Sequence, residues 1–569
     1  MEKNRLCNSR KGAKAQRFQV LSNRTFAPLW LCVIFIFLTV PSVHAQTVQR
    51  YLVVLRDKAS SPFSTSRPEQ FLSARAVSRR ARQNIALTER DLPVNPAYVS
   101  QIRAAGAEVL NTSRWLNAVL IRSTSANLQK VLALPFVKAL EYGQTIGNAR
   151  LAAPTEQTKS TNKFGETLAD PLPYGPSLGQ LSQLGLDKLH ERGFRGEGKL
   201  VAILDAGFPN ANTVSFLQTL VRENRIVATY DFVANNRQVY DDDQHGLNVL
   251  SIMAATADNR LYGGAFKASY VLLRTEDAPT ESPIEEAYWL LGAEFADSTG
   301  VDVINSSLGY TQFDPAFAAL DHKYTDLNGR TTLVSRAAQW AAETGMVVVV
   351  AAGNEGATPW HYISAPSDAV DALAVAATNS SGIRAQFSSF GPAPTGRIKP
   401  DVAAQGQGDI LGNPNGTIGS GSGTSFASPL MASFVTTLWQ AYPYLTAREL
   451  VGVVRRAGHQ AQNPDDQLGY GIPTFERAAA LAEVLSYSTA SPNPFTDTDF
   501  VTVPWGEIPN TATLDAQLTD MAGRVVWQQT VPAERAVSLS FRQLSLPTGI
   551  YLLSLTSDGK RKTVRLLKR

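Results

Sequence analysis

The stretch GTSFASP at residues 423–429 follows a glycine- and serine-rich loop and precedes an apolar run, 430–442, that predicts a buried helix. Ser425 therefore lies where the loop turns into the first helical turn. Pro429 is expected in that same turn, where a missing N–H removes little. First-turn N–H groups have no intrahelical partner and carry partial positive charge, so they could stabilise an oxyanion beside Ser425. Taken alone, Ser425 is better explained as a helix cap.

Two other segments supply an acid and a base. The run KLVAILDAG at 199–207 predicts a buried parallel strand with Asp205 at its carboxyl end, where open α/β sheets place their sites. The run HGLNVLSIMAA at 245–255 opens an apolar helix with His245, one residue after the three acids at 241–243. Singly, Asp205 could cap a loop and His245 could be a solvated histidine. Together with Ser425 they form the acid, base and nucleophile of serine acyl transfer, in the order Asp, His, Ser.

On these three motifs the chain resembles the subtilisin-like serine proteases, or subtilases. The runs AAGNEG at 351–356 and DVINSSLG at 302–309 extend the resemblance, and FSSFG at 387–391 and KPDVAA at 399–404 support it. The resemblance covers roughly residues 174–481. It implies that Ser425 is the nucleophile, His245 the base and Asp205 the acid that orients it. It also implies that Asn354 donates to the oxyanion, and that substrate binds at Ser307, Leu308, Gly309 and Gly353.

Three positions depart from the pattern of that family. Ala206 and Leu247 stand where it usually has Ser or Thr, and Gln405 stands where it often has Pro. None of these departures removes a reacting atom, so activity is expected to survive them. The small or apolar residues expected around the first pocket predict a preference for apolar side chains before the cut bond. The resemblance also makes structural calcium possible, but no ligand cluster assigns a metal or any other cofactor.

The central region alternates apolar strands with helices. Strands are predicted at 200–204, 270–274, 301–305, 346–351 and 372–376, and helices at 245–256, 282–299, 334–344 and 425–442. Apolar strands with intervening helices predict an α/β fold, a parallel sheet with helices on both faces, as the resemblance also implies. The catalytic domain is predicted over residues 176–483.

The first 45 residues predict a secretory signal peptide. They combine seven basic residues and one acid with an apolar run at 29–40 and a small-residue cleavage site at 43–45. The apolar run is short for an uncleaved membrane anchor. Since the whole chain is +4 and this segment is +6, the remainder is −2, which gives no reason to expect nucleic-acid binding. Both cysteines lie in the segment, which excludes disulfides and cysteine-based sites from the mature protein.

Residues 46–147 predict a small ferredoxin-like α+β domain, because helices and strands alternate without a catalytic constellation. The domain resembles the inhibitory propeptide of subtilases. Its arginine-rich part, 71–85, could be taken for a nucleic-acid patch, but a solvated helix face is the usual explanation. Residues 148–175 predict a linker, in or near which maturation cleavage is expected.

Residues 488–569 predict a C-terminal β-sandwich of six short strands. The segments SPNPF at 491–495, DMAGRVV at 520–526, LPTGIY at 546–551 and VRLLKR at 564–569 resemble the C-terminal sorting domains of type IX secretion cargo in Bacteroidota. This resemblance implies passage across the outer membrane, to a secreted or cell-surface location. A carbohydrate-binding or stabilising module is the alternative.

The sequence thus predicts a secreted serine endopeptidase made as a zymogen, whose partners are protein or peptide substrates, its own propeptide and the type IX machinery. An inactive fold acting as a surface binding module is disfavoured because every reacting residue is present. A ligase or macrocyclase with the same chemistry stays open. A zinc protease is disfavoured because His-Glu-x-x-His is missing, and the GPSLG match at 175–179 lacks the strand of a lipase elbow.

Overall fold

The protein was described from a computed structural model. The described residues are 47–148, 172–486 and 490–569, with short gaps at 491, 497–498, 506–512, 535, 543 and 558–559. The predicted signal peptide at 1–45 and most of the predicted linker at 148–175 lie outside the described residues. Within them, an N-terminal, a central and a C-terminal region each form their own sheets.

The N-terminal region is an antiparallel sheet flanked by helices, as predicted. Its elements are β1 Gln49–Leu55, α1 Ala74–Arg82, α2 Pro96–Ala104, β2 Glu108–Ser113, β3 Ala118–Ser123, α3 Ser125–Leu132, β4 Val137–Leu140 and β5 Gly147–Asn148. The strand order β2-β3-β1-β4 is that of a ferredoxin-like sandwich, with β5 pairing β1. Alternation places Tyr51, Val53 and Leu55 of β1 in a core shared with α2 and α3.

The central region holds a seven-stranded parallel sheet in the order β14-β13-β12-β11-β6-β10-β7. Its elements are α4 Leu178–Ser182, α5 Leu186–Glu191, β6 Leu200–Asp205, α6 Gln218–Arg222, β7 Ile226–Asp231, α7 His245–Ala254, β8 Thr256–Ala257, β9 Leu261–Tyr262, β10 Ser269–Arg274, α8 Ile284–Thr299, β11 Val303–Ser306, α9 Leu333–Glu343, β12 Val347–Ala351, β13 Leu373–Thr378, β14 Val402–Gln405, β15 Gln407–Gly412, β16 Ile418–Ser422, α10 Thr424–Ala441, α11 Ala447–Arg456 and α12 Phe475–Ser486.

Two apolar cores cover the two faces of this sheet. One joins the sheet to α7, α10 and α11, and the other joins it to α8 and α9. Strands β6 and β12 are buried along their whole length, which explains why they are apolar throughout rather than alternating. The second core also contains Leu52, Trp115 and Leu120 of the N-terminal region, so that region packs on the α8–α9 face.

The sequence prediction missed the two outer strands of the sheet. Strand β7 (IVATYD) is half-exposed and carries polar residues, and β14 (VAAQ) has only four residues. Neither has the continuous apolar run that identified the inner strands. Helices α11 and α12 were also missed, although Thr446 and Glu449 form a capping box at the start of α11.

Helix α1 docks its arginines against the ends of α8 and α9. Arg79 is 1 % exposed, and its guanidinium donates to the carbonyl of Val301 at 2.5 Å and that of Thr344 at 3.3 Å, just beyond the two helices. It also pairs with Asp297, as do Arg80 and Arg114. Carbonyls at a helix C-terminus lack intrahelical donors and favour cations. The prediction of a solvated arginine face is therefore wrong for Arg79 and Arg80.

The C-terminal region is all β, as predicted. Its strands are β17 Phe500–Pro504, β18 Thr513–Asp520, β19 Val525–Pro532, β20 Ala536–Ser540, β21 Gly549–Ser557 and β22 Lys560–Lys568. A four-stranded antiparallel sheet, β19-β18-β21-β22, and the β17–β20 pair share one apolar core. In β22 the buried positions alternate with exposed ones.

Candidate active site

Asp205 and His245 meet at the carboxyl edge of the sheet. Asp205 is the last residue of β6 and is fully buried, and His245 is the first residue of α7. His245 Nδ1 lies 2.7 Å from Asp205 Oδ1, which also accepts the Ala206 N–H at 2.8 Å. The His245 N–H donates to Asp243 Oδ1 at 2.8 Å. A carboxylate at Nδ1 selects the tautomer whose Nε2 is free to take a proton.

Two glycines, Gly207 and Gly246, meet where the start of α7 contacts the end of β6. A Cβ on Gly246 would lie 2.3 Å from the Gly207 carbonyl and 2.9 Å from the Asp205 Cβ. No side chain larger than hydrogen fits there without moving backbone. The glycine after His245 is therefore what allows the start of α7 to lie against the end of β6.

Ser425 is the second residue of α10, in the first turn as the sequence predicts. Its Oγ donates to the Ser307 carbonyl at 3.2 Å, and Ser307 Oγ donates to the Ser425 carbonyl at 2.8 Å. The prediction for Pro429 is wrong, because it is the sixth residue of α10 and lies inside the helix. Proline has no N–H for the carbonyl four residues earlier, which is that of Ser425. Ser307 supplies the missing donor.

Ser425 and His245, the predicted nucleophile and base, lie near each other but share no hydrogen bond among the described contacts. Phe426 follows Ser425, and its ring centroid lies 6.0 Å from that of His245. In the residues that the structure describes, Ser425 Oγ has the Ser307 carbonyl as its hydrogen-bond partner. Catalytic hydrogen bonds are often long or unformed without substrate, so this geometry is compatible with a proton transfer between them.

Asn354 lies beside the start of α10. Its Oδ1 accepts from the Thr424 N–H at 2.9 Å and from Thr424 Oγ1 at 3.0 Å. With its oxygen held in this way, the side-chain amide Nδ2 remains available as a donor next to Ser425. Asn354 is exposed, so this donor can reach a ligand.

The pKa of His245 is set by two opposing effects. Burial of the ring lowers it, whereas the carboxylates of Asp205 and Asp243 raise it by more, so the pKa lies above its usual 6.5. Imidazole close to an anion becomes a stronger base. It can therefore accept a hydroxyl proton more readily than an isolated histidine.

Three family models match successive parts of the chain. The Subtilase family matches residues 196–471, the Peptidase S8 propeptide domain of Bacteroidota matches 50–162, and the Secretion system C-terminal sorting domain matches 490–569. Subtilisin DY of Bacillus licheniformis is 30% identical over 308 residues, which are 53% of this chain and 96% of that protein. The chain belongs to the subtilase family. Its site thus lies in a domain shared with known serine endopeptidases.

Two further relatives are similar to this subtilase over about half of its length or more. Subtilisin NAT of Bacillus subtilis subsp. natto is 29% identical over 282 residues, 49% of this chain and 64% of that protein. The thermostable alkaline protease of Halalkalibacterium halodurans is 26% identical over 376 residues, 66% of this chain and 86% of that protein. The chain thus spans just under two thirds of the first of these relatives and most of the second.

The predicted substrate-binding residues of the subtilase line the same edge. Leu308 is partly buried on the α8–α9 core, and Gly309 is exposed. A Cβ on Gly309 or Gly353 would lie 2.4 or 2.6 Å from Ser364 Oγ, so a side chain at either position would have to displace Ser364. Gly353 also has a φ of +111°, which favours glycine. The Gly353 N–H donates to Thr424 Oγ1 at 3.2 Å, and its carbonyl accepts from Thr424 Oγ1 at 3.1 Å and from the Ser389 N–H at 3.0 Å. Of the two glycines, the exposed Gly309 therefore has the more accessible backbone.

An acid that the sequence analysis missed, Glu355, lies beside the predicted substrate-binding residue Gly353. Glu355 Oε2 accepts from Ser389 Oγ at 2.9 Å and would lie 2.7 Å from a Cβ on Gly353. The carboxylate thus folds back toward Gly353 from two residues along the chain. The motif AAGNEG contains this glutamate, but only the tertiary structure shows that its carboxylate lies against Gly353.

Three glutamates form a group that could hold a cation. Glu276, Glu281 and Glu285 have carboxylate oxygens within 4.8 Å of one another. Burial and the charge of Asp314 raise the pKa of Glu281 to about 7, and burial and the charges of Glu281 and Asp277 raise that of Glu285 to about 9. Glu285 already accepts from the backbone N–H groups of Asp277 and Ser282. Calcium takes about six to eight oxygens, so these carboxylates supply only part of a calcium site.

The C-terminal match indicates a secreted or cell-surface protein. Among the described residues, no helix combines the length and the apolar character needed to cross a membrane.

The GPSLG segment begins with a short 3-10 helix at Gly175–Ser177, and Ser177 Oγ donates to the Tyr174 carbonyl. Ser177 is therefore engaged structurally, away from Asp205 and His245 in the fold.

Proposed function

We propose that this subtilase is a secreted serine endopeptidase, made as a zymogen, that hydrolyses peptide bonds through Ser425, His245 and Asp205. The observation that carries the proposal is the 2.7 Å contact between His245 Nδ1 and Asp205 Oδ1, next to a serine at a helix start. An oriented, charge-stabilised imidazole beside a hydroxyl is the arrangement that activates a serine nucleophile.

In the proposed first step, His245 Nε2 takes the Ser425 proton as Oγ attacks the peptide carbonyl. For this, Oγ leaves the Ser307 carbonyl that it contacts at 3.2 Å and turns toward the imidazole. Asp205 holds the tautomer and stabilises the imidazolium. His245 then protonates the leaving amine, and water releases the acyl group from Ser425 by the reverse sequence.

The oxyanion of the tetrahedral intermediate is assigned two donors. These are Asn354 Nδ2 and the Ser425 N–H, which belongs to the first turn of α10. Thr424 fixes the other end of the Asn354 amide, which keeps this donor oriented before substrate binds. Loss of one such donor costs a factor of about 10² to 10³ in turnover.

Substrate is proposed to lie against the backbone of Ser307, Leu308 and Gly309 on one side and Gly353 on the other. The exposed backbone of Gly309 supports a β-like pairing with an extended peptide, whereas the Gly353 N–H and carbonyl are already bound to Thr424 Oγ1. The preference for apolar side chains before the cut bond stays a prediction. Glu355 places a carboxylate beside Gly353, one of the residues proposed to contact those side chains.

The flanking regions support synthesis as a zymogen. The propeptide is proposed to inhibit the enzyme while it covers α8 and α9, and the C-terminal domain to direct export by the type IX machinery before its removal. Binding of structural calcium is also a proposal, for which the three-glutamate group is one candidate.

The test is labelling of the secreted, processed protein with a fluorophosphonate probe, beside a Ser425→Ala variant and a Ser177→Ala control. We expect labelling and peptide cleavage in the wild type and in Ser177→Ala, and neither in Ser425→Ala. If the processed wild type neither reacts nor cleaves, the endopeptidase proposal fails, and a binding module becomes the better explanation.

A further inference from the structure

A buried arginine connects the loop after Asp205 with the loop before His245. Arg274 is the last residue of β10, directly opposite Asp205 in the parallel register, and is 5 % exposed. Its Nε donates to the carbonyl of Ala206 at 3.1 Å. Ala206 is the residue after Asp205, so this bond fixes the backbone where the acid leaves the sheet.

The same guanidinium holds three carboxylates from separate segments. Nη1 lies 3.0 Å from Asp231 Oδ2, at the end of β7, and 3.1 Å from Asp242 Oδ2. Nη2 lies 3.4 Å from Asp277 Oδ1, in the loop after β10. Arginine suits this role because its planar fork donates in several fixed directions and stays charged when buried.

Asp242 belongs to the short loop that delivers His245. The φ of Asp242 is +66°, in the left-handed region that is unfavourable for a residue with a Cβ. The next residue, Asp243, accepts the His245 N–H. On its other side the loop packs on Gly207, where a Cβ would lie 2.7 Å from the Asp241 carbonyl. The approach to His245 is thus a strained loop that Arg274 restrains through Asp242.

We propose that Arg274 is a positioning residue of the active site, which sets the Asp205–His245 geometry by tying the Ala206 backbone to the Asp242 loop. The proposal rests on the function proposed above. Arg274 touches neither substrate nor reacting atoms. It acts by keeping the loop after Asp205 and the loop before His245 at a fixed separation, and a displacement of about 1 Å at a reacting group can cost about 10²-fold in rate.

The first test is Arg274→Lys, purified and processed, with active enzyme counted by fluorophosphonate titration. Lysine keeps the charge but cannot reach Ala206, Asp231 and Asp242 at once. We expect kcat/KM per titrated site to fall about 10- to 100-fold. We also expect the acid limb of the pH–rate profile to move to lower pH, because a looser contact with Asp205 raises the His245 pKa less.

A matched pair of milder variants separates positioning from general stability. Asp242→Asn and Asp277→Asn each remove one carboxylate from the same guanidinium, but only Asp242 lies on the His245 loop. We expect Asp242→Asn to reduce kcat/KM several-fold and to shift the acid limb, with Asp277→Asn close to wild type. The charges that raise the His245 pKa are Asp205 and Asp243. Both variants remove one negative charge from Arg274, so a shift confined to Asp242→Asn reports geometry.

Equal effects of the two aspartate variants, or an unchanged acid limb in Asp242→Asn, would overturn the proposal. So would a folded Arg274→Lys with wild-type kcat/KM. If Arg274→Lys does not fold, the aspartate pair decides alone. Failure of the proposed function would show differently, since the wild type itself would then have no titratable site.

Discussion

Two fully buried carboxylates in this subtilase face opposite kinds of partner. Asp205 meets one imidazole at the carboxyl edge of the sheet, whereas Asp297 meets the guanidinium groups of Arg79, Arg80 and Arg114 on the α8–α9 face. Imidazole can gain and lose a proton near neutral pH, but arginine remains charged. The first pair is therefore suited to chemistry, and the second cluster to holding two regions together.

The solvation of the two sites differs accordingly. His245 keeps 31 % of its side chain exposed, so a substrate can reach the base, while Arg79 keeps 1 %. Burial alone would raise the pKa of Asp297, but the three arginines lower it by more, so its pKa lies below its usual value. In the zymogen the carboxylate thus stays ionised without access to water. A buried charge cluster of this kind is costly to break from one side only.

The largest effect is expected from Asp205→Asn, which keeps the shape of the side chain but cannot hold the His245 tautomer. We expect kcat to fall about 10⁴-fold. Because self-processing would slow as well, the propeptide is removed with an added protease before kinetics are measured on a peptide substrate. Propeptide retention should stay at the wild-type level. A fall below tenfold would contradict the assigned role.

The next effect is expected from Asp297→Ala, which leaves three arginines without their acceptor. Removing one partner of a buried charge cluster costs about 3–5 kcal/mol. In a Ser425→Ala background, with the linker cut by an added protease, we expect the propeptide to separate from the catalytic domain on size exclusion. In the active background, kcat/KM of the processed enzyme should not change.

Asp302→Asn is the matched control for that prediction. Its partner Arg75 is 39 % exposed, so water can replace the lost contact. We expect the propeptide to stay bound more tightly than in Asp297→Ala. Equal release in both variants would mean that the buried arginine cluster is not the main anchor.

The pH dependence of the two sites should run in opposite directions. The pKa of His245 is raised in the folded protein, so its pair with Asp205 stabilises the fold fully below pH 6.5. That stability is lost as the pH rises through the pKa of the folded state. The folded pKa of Asp297 is lowered, so its cluster stabilises above the usual 3.8, and that stability is lost as pH falls through the folded value.

Thermal unfolding of the Ser425→Ala zymogen across pH measures both directions. The loss of Tm caused by Asp297→Asn should shrink as the solution is acidified below pH 4, and that caused by His245→Gln should shrink toward alkaline pH. The proposed mechanism needs neutral imidazole, so the activity of the processed enzyme should fall on the acid side with an apparent pKa above 6.5. Parallel trends for both variants would contradict the comparison.

The smallest effect is expected from Arg448→Ala. This arginine lies 3.1 Å from Asp371, but its side chain is 82 % exposed. An exposed pair of this kind contributes less than about 1 kcal/mol. Urea unfolding of the zymogen should therefore give nearly the wild-type midpoint, with propeptide retention unchanged. A loss of more than about 2 kcal/mol would show that exposure does not separate the two kinds of ion pair here.

The sequence by itself determined the inner sheet and the ends of its strands. Continuous apolar runs ending in Asp205 or followed by Asn354 identify buried parallel strands, because every side chain of such a strand is covered by helices. Each of these signals lies within a few residues of the feature that it predicts.

Tertiary structure alone decided which buried charges are paired. Nothing local distinguishes Arg79, which is buried against Asp297, from the exposed Arg82 on the same helix, because the partner lies more than 200 residues away. The contacts of Arg274 with Ala206 and Asp242, and of Ser307 with Ser425, likewise join residues that are distant in the sequence. A charge or an orphan carbonyl is buried only where a distant segment supplies its counterpart. The fold, not the local sequence, brings that counterpart into contact.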